Sequence, residues 1–98
     1  MVEGNGKDKG NGHAKTLLEF PCRYEIKAMG REGIRFEALV QGIVCRHIGR
    51  DDLLSTGRRL SRNGNYLSLT CIIWATSLDQ LELIYADLKS CPEVLLVL

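Results

Sequence analysis

From Tyr24 to Met29 apolar and polar residues alternate, which puts Tyr24, Ile26 and Ala28 on one face of a strand and Glu25, Lys27 and Met29 on the other. Gly30 is expected to end this strand. The period then changes. Between Ile34 and Ile48, residues Phe36, Leu39, Val40, Ile43, Val44 and His47 recur on one side of a helix. Glu32 stands near its positive end, Arg46 and His47 near its negative end, and Gly49 is placed to close it. Leu53 to Arg62 is basic and only weakly alternating, so Gly57, Arg58, Arg59 and Arg62 predict an edge strand. Asn63-Gly64-Asn65 is a hairpin turn signal, because both residue types tolerate positive φ. In the following strand, Tyr66 to Thr76, Leu67, Leu69, Cys71, Ile73 and Ala75 form an unbroken apolar face. Ser77 and Gln80 fit a capping box, and Leu78, Leu81, Ile84, Tyr85 and Leu88 trace a second amphipathic helix that ends before Pro92. Val94 to Leu98 is short and apolar, as a last strand would be.

The order strand, helix, strand, strand, helix, strand, joined by right-handed crossovers, predicts an α+β fold. It is a ferredoxin-like βαββαβ sandwich, a four-stranded antiparallel sheet with both helices on one face and strands one and three central. The face away from the helices would then carry Glu25, Lys27, Met29, Ser68, Thr70, Ile72, Trp74, Leu95 and Val97. That is a large apolar share for a surface left in water.

Composition agrees with this and excludes much else. A chain of 98 residues, 45% apolar and 26% charged, has material for one globular core. Its first stretch, 1–15, holds glycines, asparagines and charges with little to bury, so it is expected to be a flexible tail with His13 solvated. The single domain is expected over 16–98, entered through the extended segment Leu17-Leu18-Glu19-Phe20-Pro21. A net charge of +1 gives no bulk attraction for nucleic acid or membrane. No apolar run reaches the roughly 18 to 20 residues of a membrane span, and the N-terminus lacks the apolar segment of a secretory signal, so a cytoplasmic location is expected. Cys22, Cys45, Cys71 and Cys91 show no CxxC pair and no histidines at zinc spacing, which predicts reduced thiols and no metal or cofactor.

Candidate chemistry is sparse. Cys45 and His47 stand two residues apart on a helix and cannot converge on one atom; Asp51-Asp52 and Asp79 with Glu82 lack a histidine, a phosphate loop or a nucleophile at motif spacing. No enzyme site is expected. Two binding surfaces are. Met29, Ile72, Trp74, Leu95 and Val97 on the open face would dock a protein partner or a second copy, with Trp74 as the anchor. Gly30, Arg31 and Gly33, in a turn at the helix's positive end, would hold a small acid, although a tight turn alone also explains the glycines. RNA is the alternative, because RNA-recognition modules share this element order. Trp74 and Tyr66 with Arg58, Arg59 and Arg62 would serve it, but the paired aromatics of that fingerprint are missing, which disfavours RNA as a partner.

Leu18-Glu19-Phe20-Pro21, Met29-Gly30, Arg46-His47, Gly64-Asn65-Tyr66-x-Ser68 and Ala75-Thr76 resemble the YbeD-like proteins, small bacterial proteins of unknown function, over about Leu17 to Leu98. The resemblance implies a ferredoxin-like fold similar to the ACT regulatory domains, which bind small ligands and control metabolic enzymes, and it carries over no catalytic residue. Trp74, where a small polar residue would be expected, and Gly57-Arg58-Arg59 depart from the pattern. Gly30 stands where ACT domains usually have an acid.

Overall fold

The pairing of two long strands organises the molecule. β1 (Cys22–Arg31) and β3 (Tyr66–Ala75) are antiparallel over their whole length, from Cys22 opposite Ala75 to Arg31 opposite Tyr66. The computed structural model describes residues 18–98; the tail expected over 1–15, with His13, lies outside them, as do Thr16 and Leu17. β2 (Leu53–Leu60) borders β3 and β4 (Val94–Val97) borders β1, giving the order β2-β3-β1-β4 in an antiparallel sheet. Helices α1 (Ile34–Cys45) and α2 (Leu78–Ser90) cover one face. The four-stranded sheet with its two helices and βαββαβ order is the architecture predicted from the alternation.

Period two decides which face is covered. Leu67, Leu69, Cys71, Ile73 and Ala75 of β3 and Ile26 and Ala28 of β1 are buried against Phe36, Val40, Ile43 and Val44 of α1 and Leu81, Ile84 and Leu88 of α2. No polar or charged residue among the described residues is buried, so the core stabilises through apolar area and packing alone.

Besides the start of β1 at Cys22 rather than Tyr24 and the end of β4 at Val97 rather than Leu98, four boundaries differ from expectation. Gly30 does not end β1: it lies buried within the strand, paired with Leu67 and Val94. A Cβ at this position would meet the Phe36 ring and lie 2.5 Å from the Glu93 carbonyl oxygen, so the glycine is there to let α1 and the α2–β4 turn close over the strand. α1 ends at Cys45 rather than Ile48. The Arg46 N–H is shared between the Gly42 and Ile43 carbonyls and His47 N–H donates to Val44 at 3.1 Å, which tightens the end without a left-handed glycine; Gly49 plays no part in it. β2 stops at Leu60 because Ser61 closes the hairpin: its N–H donates to the Tyr66 carbonyl at 2.9 Å and its Oγ accepts from Tyr66 N–H at 3.1 Å, around Gly64 at φ 76. β3 likewise ends at Ala75, where Thr76 passes into the α2 cap.

The fourth strand needed the largest correction. Val97 lies opposite Ala28 and Leu96 opposite Met29, but Val94 rather than Leu95 lies opposite Gly30, so Leu95 is an extra residue in a bulge. Val94 and Val97 consequently pack on the core, and Leu96 takes the open-face place expected for Leu95 and Val97. Gly30→Ala should lower unfolding free energy by about 2 kcal/mol through overpacking, read as a reduced urea midpoint at unchanged slope.

Candidate functional site

Side chains that alternate away from the core form the open face. Arg23, Glu25, Lys27, Met29 and Arg31 of β1 lie beside Tyr66, Ser68, Thr70, Ile72 and Trp74 of β3, with Arg59 opposite Ser68 on one flank and Leu96 opposite Met29 on the other. Among the described residues its cations, Arg23, Lys27, Arg31 and Arg59, share the strand positions of this face with one residue of opposite sign, Glu25. Trp74 is 38% exposed and Leu96 48%, whereas Met29 and Ile72 are half-buried. A shallow depression of about 180 Å³ is lined by Met29, Arg59, Leu60, Ser61, Tyr66 and Ser68. The face is therefore neither uniformly charged nor simply greasy: apolar side chains lie within a basic surround.

Met29, Ile72 and Trp74 are on this surface as their sequence positions required, but Leu95 and Val97 are not. Tyr66 and Trp74 are eight residues apart on β3, about 26 Å along the strand, too far for adjacent bases to stack on both. The basic edge also divides. Arg58 turns to Glu37 of α1, with Nε 3.4 Å from Oε1, and Arg62 lies in the hairpin loop, leaving Arg59 on the face.

A second concavity, of about 470 Å³, lies where β1 ends, α1 begins and β4 starts. Phe36, Leu39, Pro92 and Leu95 make its apolar lining, and Arg31, Arg35 and Glu93 supply charge. Of the turn expected to hold an acid, Arg31 lines this cleft; its guanidinium also stands 5.7 Å from the Tyr66 ring centre. Gly33 is the extended N-cap of α1, with no side-chain cap, while Gly30 is locked in the sheet and offers no turn amide. Arg35, Phe36, Pro92, Glu93 and Leu95 were not legible as one site, because the α2–β4 turn and α1 meet only in the folded chain. Leu95 reaches the cleft through the bulge, which no glycine or proline at that position announces.

On the helix side the polar contacts are joints. Ser77 Oγ accepts from Gln80 N–H at 3.1 Å, Gln80 Oε1 accepts from Thr76 N–H at 2.8 Å, and Gln80 Nε2 donates to the His47 carbonyl at 3.0 Å. His47 Nε2 lies 2.6 Å from Asp87 Oδ2, and Arg46 reaches the same oxygen at 3.4 Å. These contacts tie the end of α1 to α2, and Cys45, exposed, takes no part in them. Asp51, Asp79 and Glu82 are exposed and Asp52 half-buried; among the described residues no three of His, Cys, Asp and Glu gather as metal ligands would. All four thiols are free.

The family model described as "Protein of unknown function (DUF493)" matches residues 15–98. The chain belongs to this family. It is 44% identical over 82 residues to a UPF0250 protein of Ectopseudomonas mendocina, covering 83% of this chain and 89% of the relative. A UPF0250 protein of Nitrosomonas europaea is 42% identical over 84 residues, 86% of this chain and 97% of the relative. The YbeD-like resemblance is thus established at the level of the family. Among solved structures, the ACT domain from GTP pyrophosphokinase of Chlorobium tepidum superimposes with a TM-score of 0.63 at 12% identity, over 79% of this chain and 83% of that one. The C-terminal domain of the MgtC protein from Mycobacterium tuberculosis gives 0.64 at 17%, over 84% and 89%. At these identities the likeness is one of fold. This DUF493 chain therefore has an ACT-like fold, and none of its described helices is long and apolar enough to cross a membrane.

Two groups give the domain a pH signature. Burial, then the nearby Cys45 and Glu37, pushes the Cys71 thiol up to about 11 from 9.0; burial, then the hydrogen bond and proximity of Tyr24, raises the Tyr85 hydroxyl above its ordinary 10.0. Both acids hold their protons longer folded than unfolded, so their contribution is complete below pH 9; that of Cys71 is lost as pH rises through about 11, and that of Tyr85 at still higher pH. Melting temperature should be insensitive to these groups up to pH 9 and then fall, and Cys71→Ser should flatten part of that fall even though it lowers the starting stability.

Proposed function

We propose that this chain is a non-catalytic regulatory module of the ACT type that docks an acidic protein partner through its open sheet face. The observation that carries the reading is the composition of that face: Met29, Ile72, Trp74 and Leu96 set among Arg23, Lys27, Arg31 and Arg59, with Glu25 as the one acid among its described strand residues. Apolar anchors supply the free energy of contact, and the cations choose an acidic surface and speed encounter with it. Two copies of this chain meeting face to face would bring like charges together, which favours a different protein over a sheet-to-sheet homodimer. The depression beside Met29 is of a size for one apolar side chain of the partner, with Arg59 at its rim.

The ACT likeness also supports an effector, and the cleft suits one. An apolar lining of Phe36, Leu39, Pro92 and Leu95 beside the guanidiniums of Arg31 and Arg35 fits a small carboxylic acid with an apolar body. Neither Gly30 nor Gly33 needs to touch it. Gly30 contributes by keeping Phe36 close to β1, and Gly33 by its place at the start of α1.

Capture from a bacterial lysate, with and without nuclease, tests the docking reading. Trp74→Ala should weaken retention of a nuclease-resistant, acidic protein by about 2 kcal/mol of association, and Arg59→Glu should weaken it more at low salt than at high, while melting temperatures change little. Retention indifferent to both substitutions, or capture only of RNA, overturns it. For the effector, small apolar carboxylic acids should raise the melting temperature of the wild type and fail to raise that of Arg31→Ala. A panel of such acids that never shifts the wild type removes the cleft from the mechanism.

A further inference from the structure

The edges of β1 are used unequally. Towards β3 the strand is paired from Cys22 to Arg31, but towards β4 only from Ala28 to Gly30, with Lys27 exchanging both backbone bonds with Leu98 at 3.1 and 2.8 Å. Backbone groups alternate in direction along a strand, so Glu25 and Arg23 point their N–H and C=O the same way as Lys27, into space that β4 does not reach. No described backbone group bonds to them there. The outer edge of β2 is different, because Arg58, Arg59 and a bulge at Leu53/Ser55 blunt it; β4 is only four residues long and bulged itself. Of the free edges, the first half of β1 alone is straight and regular.

We infer that this half-edge pairs with the same half-edge of a second copy, antiparallel, about a two-fold axis at Tyr24. The choice of register follows from direction and charge. Only residues of Arg23's orientation have backbone groups to offer, so the axis can sit at residue 23, 24 or 25. An axis at 23 sets Arg23 against Arg23, and one at 25 sets Glu25 against Glu25 and calls on Lys27, whose bonds Leu98 already uses. With the axis at Tyr24, Arg23 of each copy exchanges both backbone bonds with the other copy's Glu25, and the two side chains, opposite in charge and both exposed, stand side by side on the open face.

The ends of the stretch agree with this register. Cys22 would lie opposite Ile26, and the strand begins only at Cys22, after a bend at Phe20 and Pro21, so the paired stretch ends one residue before Lys27 and its bonds to Leu98. On the helix side Cys22 and Tyr24 are only half-buried, in contrast to Ile26 and Ala28, so helix cover thins where the second copy would arrive. The association is isologous and closed, which gives a dimer and not a filament. It goes beyond the proposed function and uses the backbone edge of β1, which the Arg23 and Glu25 side chains of the open face border: a monomer that still captured its partner through the open face would sink this inference alone.

Sedimentation of the full chain over a concentration series, at low salt, tests it. The wild type should show a monomer–dimer equilibrium, with amide exchange at Arg23 and Glu25 slowing as dimer accumulates. Arg23→Glu and Glu25→Arg, each placing like charges in both cross-strand pairs, should each weaken dimerisation by about tenfold. Mixing the two single variants should restore it as a heterodimer, and the Arg23→Glu/Glu25→Arg double variant should restore it in one chain. A wild type that stays monomeric at every concentration, dimerisation indifferent to the single substitutions, or a double variant as weak as the singles overturns the inference. Both side chains are exposed, and melting temperatures verify that each variant is folded.

Discussion

The burial of one face of the β1–β3 pair is the constraint on which the rest of the molecule depends. Leu67, Leu69, Cys71, Ile73 and Ala75, with Ile26 and Ala28, are all within about a percent of complete burial, and a slip of one residue in either strand would turn the whole set outward. Because side chains alternate, fixing these residues inward also fixes Met29, Ile72 and Trp74 outward. The open face is thus a by-product of the core: it exists because the fold has helices on one side only.

An entirely apolar core has a further consequence. With no buried polar or charged residue among those described, the titratable chemistry sits at the periphery or, for Cys71, is held protonated by burial. Polar side chains such as Gln80, His47 and Asp87 are spent on joining the helix ends. What the described residues offer besides is a basic face with exposed apolar side chains, a cleft lined by two guanidiniums, and a half-paired strand. β1 contributes to all three, through alternate side chains along its length, Arg31 at its end and backbone groups at its start.

Packing at Gly30 shows how local geometry positions a site. Phe36 and the Glu93 carbonyl crowd the place a Cβ would take, so α1 and the α2–β4 turn approach one another over the end of β1. The cleft opens beside that contact, lined by Phe36 and by Leu95, which the bulge in β4 turns away from the open face. One missing methyl and one extra residue together decide where the cleft opens.

Much of the fold was legible along the chain. The inward faces of β1 and β3, the Ser77–Gln80 cap, the turn at Gly64 and the anchors Met29, Ile72 and Trp74 follow from period, cap chemistry and positive φ, all properties of a few neighbouring residues. Along the chain Gly30 looks like a strand end, because its role is a close approach by Phe36, a residue in another element. The alternation alone puts Leu95 and Val97 on the open side, because a single bulge inverts parity and β4 is too short for its own pattern to reveal one. The assembly of Arg31, Arg35 and Glu93 around one cleft, and the unpaired backbone of Arg23 and Glu25, were decided by the tertiary structure. Local sequence determines which way a residue faces within its own element, whereas cavities and open edges are set by how far one element extends past another.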